Sequence, residues 1–218
     1  MYVHPAFEID RTASLAFAAA RGFGLVVASL AERPLASPLP FHLSYTADGT
    51  PRIAFHVARG NALAELAGKG GSWLVAVTGH DAYVSPDWYV SPHQVPTWLY
   101  VAVHLTGPVR RMADGELVRH LDELSETFEA RLAPKPIWTT DKVPPARRKM
   151  LAKAIVGIEM SVERVEGNFK LNQHKSDADH VAVAGALAAQ GDAAASALAR
   201  RMVAMRPHLP YEPADAAA

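Results

Sequence analysis

Thr97-Trp-Leu-Tyr-Val-Ala-Val-His-Leu-Thr-Gly-Pro-Val-Arg-Arg111 is the stretch that decides the fold. In an extended chain successive side chains point to opposite faces. Trp98, Tyr100, Ala102, His104 and Thr106 therefore share one face, and Leu99, Val101, Val103 and Leu105 the other. Both faces carry bulk, which predicts a long strand covered on both sides. Upstream, Trp73–Thr78 and Ala82–Ser85 are apolar runs separated by Gly79-His80-Asp81. Phe23–Leu30 is a short β-branched run and predicts a buried strand. Leu39–Tyr45 and Arg52–Val57 flank Ala47-Asp48-Gly49-Thr50, a hairpin turn signature. Downstream, Ile158–Val165 alternates, with Ile158, Met160 and Val162 on one side and Glu159, Ser161 and Glu163 on the other.

Helical periods surround these runs. Asp10 can cap a helix with a stripe of Leu15, Ala18 and Ala19, stopped at Gly22. Asn61–Ala67 gives one or two turns capped by Asn61. Asp114–Leu132 carries Leu117, Leu121, Leu124, Phe128 and Leu132 at helical spacing and ends at Pro134. Pro144-Pro145 opens a helix to about Ile155, with Gly157 as its stop. Ser176-x-x-Asp179 resembles a capping box for a helix ending at Gly191, and Asp192 starts another. Hairpin signals without regular βα alternation predict a mainly β chain with added helices (α+β), an antiparallel barrel or sandwich.

The 218 residues allow one domain, or one with a small appendage. Lys and Arg together number 22, as do Asp and Glu, so the net charge is zero. That balance argues against non-specific nucleic-acid or anionic-membrane binding as the main work. There is no Cys, which excludes disulfides, iron–sulfur clusters, thiolate zinc sites and cysteine nucleophiles, and fits a reducing cytoplasm. Met1–Asp10 lacks the pattern of a signal peptide. The longest apolar run, 23–31, falls short of the ~20 residues that span a membrane. The reading is a cytoplasmic protein.

Three segments carry the chemistry. In Phe55-His56-Val57-Ala58-Arg59-Gly60-Asn61 a strand ends, an Arg follows, and a helix begins, so free first-turn N–H groups and a guanidinium offer an anion site. An exposed Arg beside a capping Asn is the plainer account. In Tyr83-Val84-Ser85-Pro86-Asp87-Trp88-Tyr89, followed by Pro96-Thr97-Trp98-Leu99-Tyr100, aromatic faces and placed hydroxyls suit a flat heterocycle, or simply a packed loop. In Gly167–Lys175, amides and lysines precede a capped helix, as a ligand loop or a solvated one. None of the 10 histidines lies in an i, i+4 pair or in H-E-x-x-H, so no metal site is read. No residue presents itself as a catalytic acid, base or nucleophile.

Taken together these stretches resemble the PaiB-type FMN-binding negative transcriptional regulators, which are split-barrel flavin proteins. The resemblance runs through Met1-Tyr2-Val3-His4-Pro5-x-Phe7, His56-Val57-Ala58-Arg59-x-Asn61, Tyr83-x-Ser85-Pro86-x-Trp88-Tyr89, Val95-Pro96-Thr97-Trp98-x-Tyr100 and Gly167-x-x-Lys170-Leu171-x-Gln173. The family has other residues where this chain has Ala62, Leu99, Asn172 and His174. The resemblance implies an FMN-binding split β-barrel over 1–175, a helical extension over 176–210 packed on it, and a disordered tail over 211–218. It implies a homodimer with the flavin at the subunit interface. His56, Val57, Ala58, Arg59 and Asn61 would lie near the FMN phosphate. Ser85, Trp88, Tyr89, Thr97, Trp98, Lys170, Gln173 and Lys175 would close around the flavin. Arg147-Arg148-Lys149 is the one basic helix face and reads as a solvated surface. With zero net charge and no helix-turn-helix carrying a basic recognition face, any DNA binding is expected to be weak and salt-dependent. The alternatives are a flavin-dependent oxidoreductase, a haem-binding or haem-degrading barrel with His174 as axial ligand, and a cofactor-free dimeric module.

Overall fold

The computed structural model describes residues 1–31 and 33–211. In chain order come β1 (Glu8–Ile9), α1 (Arg11–Arg21), β2 (Phe23–Leu30), β3 (Arg33–Pro40), β4 (His42–Tyr45), β5 (Pro51–Ala58), α2 (Ala62–Leu66), β6 (Ser72–Val84) and β7 (Thr97–Arg111). They are followed by α3 (Asp114–Glu129), α4 (Pro145–Lys153), β8 (Ile155–Ser161), β9 (Arg164–Lys170), α5 (Asp177–Ala188) and α6 (Ala193–Met205). The strands form one open nine-stranded sheet in the order β3-β2-β6-β7-β8-β5-β4, with β9 on β7 and β1 on β9. This is the α+β class that the hairpin signals predict. Residues 212–218 of the expected tail lie outside the described residues.

Residues 15–77 and 104–165 make one compact unit. Its core alternates along β5, where Ile53, Phe55 and Val57 are buried, and meets Ile158 and Met160 of β8 in the register Phe55↔Ile158. Each such side chain contributes about 1.5–3 kcal/mol on burial. The hairpin turns as predicted, with the Thr46 N–H bonded to the Thr50 carbonyl at 2.9 Å. Asp10 caps α1 through the Ala13 N–H at 2.9 Å, and Gly22 ends it at φ +58°. A side chain at Gly22 would also strike the Phe128 ring.

Several expectations change here. β3 went unread because Pro34, Pro38 and Pro40 break any strand pattern, yet it is the last strand of the sheet. The three prolines share one parity, so their missing donors all lie on the same side of the strand, which an edge tolerates. β2 is buried on one face only: Val26 and Ala28 are inside while Phe23 and Leu25 are exposed. On β7 Leu99, Val101, Val103 and Leu105 are buried, but Trp98 is exposed and Tyr100, Ala102, His104 and Thr106 are half-buried, so the chain covers one face rather than two. The inward ridge of α3 is Leu117, His120 and Leu124, with Leu132 exposed past a tightened last turn. Gly157 is not a helix stop. It lies within β8, where a Cβ would come 2.7 Å from the Met112 sulfur.

Residues 1–14, 78–103 and 166–211 fall in a second unit. Gly79-His80-Asp81 does not interrupt the chain, because β6 runs through it unbroken. The expected strand 158–165 is instead two, and much of the expected loop 167–175 is strand β9. β9 pairs with β1 in the register Ile9↔Gly167. Ser14 fits only because residue 167 is glycine: a Cβ there would sit 2.1 Å from Ser14 Oγ. α5 and α6 bury Val183, Leu187, Leu198 and Met202.

Gly107 tests the closeness of packing in the first unit. A Cβ there would lie 1.7 Å from the Ser161 carbonyl oxygen, a backbone atom that cannot turn aside. Gly107→Ala is expected to cost about 3 kcal/mol and to lower the thermal midpoint by roughly 2–4 °C for each of those kcal/mol. Calorimetry reads the loss, with Gly115→Ala as control, since nothing lies within 4 Å of that Cβ. Equal midpoints for both variants would contradict the packing described.

Candidate functional site

A cleft of about 320 Å³ opens in the second unit, lined by His4, Phe7, Tyr89, Val95, Thr97, Lys170, His174 and Lys175. Four of the predicted residues, Tyr89, Thr97, Lys170 and Lys175, thus meet in one place. The start of β7 supplies Thr97, and the end of β9 with the turn after it supplies the basic groups. Lys170 Nζ donates to Thr97 Oγ1. Lys175 Nζ donates to Gln94 Oε1 at 2.6 Å and lies 5.1 Å from the centre of the Tyr89 ring. Phe7 stands edge-on to His174 with ring centres 5.2 Å apart. Among the described residues no carboxylate lines the cleft. Burial, followed by the Lys175 charge, lowers the pKa of Lys170. Burial and then Lys175, Lys170 and His4 lower that of His174. Such a set recognises an anion beside an aromatic surface.

Long-range bonds hold the cleft open. The Asp179 carboxylate accepts the Val90 and Ser91 N–H groups, both at 2.9 Å, and the Ser91 hydroxyl at 2.6 Å. Asp179 therefore anchors the aromatic loop to α5, beyond the capping role read from sequence, while Ser176 Oγ does accept the Asp179 N–H. Tyr89 is buried and its hydroxyl donates to Asn172 Oδ1 at 3.3 Å. Asn172 is fully buried, sits at φ +61°, and leaves its Nδ2 without a partner.

The other predicted residues of this unit go elsewhere. Gln173 is spent on its own turn, accepting the Leu171 N–H and donating to the Phe169 carbonyl. Ser85 Oγ caps the short turn at Pro86–Trp88 through the Asp87 N–H, and Trp88 is half-buried in that turn. Trp98 faces a separate depression with Tyr100, Asp81 and Thr78, its ring edge-on to Tyr83 at 6.1 Å. Leu99, next to it, is completely buried. His4, Phe7, Val95 and His174 were not among the predicted flavin contacts. His4 and Phe7 lie in the quoted N-terminal motif, but only the β1–β9 pairing shows why that segment matters here.

In the first unit, Val57 is buried and Ala58 exposed at the end of β5. Arg59 Nε donates to the Lys153 carbonyl at 2.8 Å and Nη2 to the Ile155 carbonyl at 3.3 Å. A guanidinium has five N–H donors, so these bonds leave others for a ligand. Asn61 Oδ1 accepts the Leu63 N–H at 3.0 Å and the Asn61 carbonyl accepts that of Ala64 at 2.9 Å. Two of the helix donors expected to be free are thereby taken. His56 Nδ1 lies 3.1 Å from Nε2 of His120, which is 2% exposed. His42 stands close by, its Nδ1 3.5 Å from Glu123 Oε2. Burial, then the His56 and His42 imidazoles, push His120 down to about 4, and burial lowers His56.

The family described as "Putative FMN-binding domain" matches residues 1–164. The Protease synthase and sporulation protein PAI 2 of Bacillus subtilis is 30% identical over 184 residues, 84% of this chain and 87% of that one. Among solved structures, the FAD and Heme binding protein from Mycobacterium smegmatis superposes with a TM-score of 0.53 at 17% identity, covering 74% of this chain and 71% of that one. The conserved hypothetical protein Rv2991 from Mycobacterium tuberculosis gives 0.55 at 11% identity, covering 81% and 94%. These structures share the fold, the split barrel expected from the sequence.

The buried imidazole has a consequence for stability. His120 titrates near 6.5 when unfolded and at about 4 when folded. Its contribution is complete above pH 6.5 and is lost as pH falls toward 4, because only the unfolded chain takes up the proton. The slope is about 1.4 kcal/mol per pH unit. Urea unfolding of wild type is expected to lose roughly 1–2 kcal/mol more between pH 6.5 and 5 than His120→Leu does. Parallel pH profiles would show that His120 is not held neutral.

Proposed function

This chain belongs to the PaiB-type FMN-binding family, and on that premise we propose that it works as a homodimer, holds FMN at the subunit interface and acts as a negative transcriptional regulator. The coarser identity, a flavin-binding split-barrel protein, follows from family membership and fold. The observation that carries the residue-level reading is the basic, aromatic cleft, where Tyr89, Thr97, Lys170 and Lys175 converge with no carboxylate among the described residues that line it. That donor set fits a flavin, whose ring offers carbonyl and nitrogen acceptors and whose side chain ends in a phosphate. Bound FMN would supply a ring that takes up and releases electrons. The chain's own part is to bind and orient it. We assign the ring contacts to Tyr89, Thr97, Lys170 and Lys175. Ser85 and Trp88 shape the turn that leads into Tyr89, Gln173 shapes the turn between the two lysines, and Trp98 belongs to the other depression. We assign the phosphate contacts to His56, Arg59 and Asn61, with Val57 and Ala58 as the strand end that carries them.

The dimer reading is supported by what the single chain leaves uncovered on β7 and β6, where Trp98 is 53% and Tyr83 44% exposed. The regulator reading rests on the resemblance and on α4, none of whose residues is buried and which carries Arg147, Arg148, Lys149 and Lys153. With zero net charge, contact with DNA through so small a basic face is weak and salt-dependent. A DNA complex that stays tight at physiological salt would contradict this.

Purified protein is expected to take up FMN with flavin absorbance bands; a Soret band would favour the haem reading instead. Arg59→Ala is expected to weaken FMN by about tenfold to a hundredfold, since charge-assisted bonds contribute about 1.5–3 kcal/mol. Riboflavin, which lacks the phosphate, should lose little. Lys170→Ala should weaken both ligands alike. Fluorescence titrations measure all of these, and unchanged affinities in both variants would refute the assignments. Light scattering is expected to give twice the 23.5 kDa protomer mass; the protomer mass itself at micromolar concentration would refute the dimer.

A further inference from the structure

We propose that His120 is a positioning residue that fixes His56 as a neutral hydrogen-bond donor, with its proton on Nε2, for an anionic ligand. The proposal rests on the assignment of His56 to the FMN phosphate. The two rings meet through His56 Nδ1 and His120 Nε2, 3.1 Å apart, so one proton lies between those nitrogens. His120 is 2% exposed, and its other nitrogen, Nδ1, is buried with no hydrogen-bond partner among the described residues. Each neutral imidazole carries a single proton, which leaves two arrangements.

In the first, His120 holds its proton on Nε2 and donates it to His56 Nδ1, leaving only a lone pair on the buried Nδ1. In the second, His56 donates from Nδ1, and His120 must then carry its proton on Nδ1 as an orphaned N–H. On the backbone, orphaned buried N–H groups are rarer than under-satisfied acceptors, and the same desolvation cost bears on an imidazole N–H. The first arrangement therefore prevails. With Nδ1 accepting, His56 must carry its proton on Nε2, because the bond made by one ring nitrogen decides the state of the other. The surrounding charges leave this intact. From β4 comes His42 and from α3 Glu123, which face each other at 3.5 Å. With a second pKa near about 6, a phosphate monoester is mostly dianionic above neutral pH. Its oxygens, like those of a carboxylate, then accept hydrogen bonds, so a bare Nε2 would repel them and Nε2–H suits them.

The test is two-bond proton–nitrogen NMR on ligand-free protein near pH 7.5, in wild type, His120→Gln and His120→Leu, with FMN and riboflavin titrations of each. Wild type is expected to show His56 protonated on Nε2. His120→Gln, whose amide N–H can still donate, should keep that tautomer and nearly wild-type FMN affinity. His120→Leu should mix the tautomers and weaken FMN on the order of tenfold, with riboflavin unchanged. A His56 proton on Nδ1 in wild type overturns the proposal whatever the affinities. Wild-type FMN affinity in His120→Leu, while His56→Ala binds poorly, overturns the positioning role. If His56→Ala binds FMN normally but the tautomer is as expected, the phosphate assignment of His56 fails, and the control of its tautomer by His120 is upheld.

Discussion

A strand cannot show neighbouring side chains to the same face, and β7 makes that constraint the plan of this protein. Leu99, Val101, Val103 and Leu105 are buried almost completely, so the alternate residues are forced outward. Thr97 and Trp98 are neighbours in the motif that carries the family resemblance, yet they line different depressions. Thr97 joins Lys170 in the basic cleft, and Trp98 lies with Tyr100 in the other. Leu99, where the family has another residue, is committed to the core and offers a ligand nothing.

The cleft then depends on polar groups that burial compels to find partners. Asp179 is 3% exposed, which costs a carboxylate dearly unless donors surround it. Ser91 and Val90 supply three, and in doing so they fix the loop that carries Tyr89 and Val95. Burial would raise the Asp179 pKa, but the bonds from Ser91, Ser176 and Val90 outweigh it and bring the pKa below the ordinary value. The ionised state is the one that holds the loop. Gln173 and Asn172 likewise shape the turn after β9, which leaves Lys170, His174 and Lys175 as the groups presented to a ligand.

In the other unit, a histidine occupies a position that α3 would ordinarily fill with a leucine. His120 stands between Leu117 and Leu124 on the buried ridge. Its neighbour across the sheet is His56, in a motif that the family resemblance links to phosphate. Both rings are driven toward neutrality by the same burial. A core position is thereby coupled to a candidate ligand contact.

Most elements and their order are legible in the chain, because period-two alternation, helical stripes and capping residues act over a few residues. The family is legible too, through five short motifs in sequence, and with it the cofactor. β3 escaped because its prolines obey a rule about sheet edges, and an edge exists only once the sheet is paired. β6 looked like two strands because Gly79-His80-Asp81 reads locally as a turn, while sheet pairing keeps it extended. Folding settles which motif residues share a cleft, which spend their polar atoms on their own turns, as Gln173 does, and that His56 faces His120 across 64 residues of chain. Those outcomes depend on register and on which buried donors and acceptors meet, and both are settled between segments far apart in sequence.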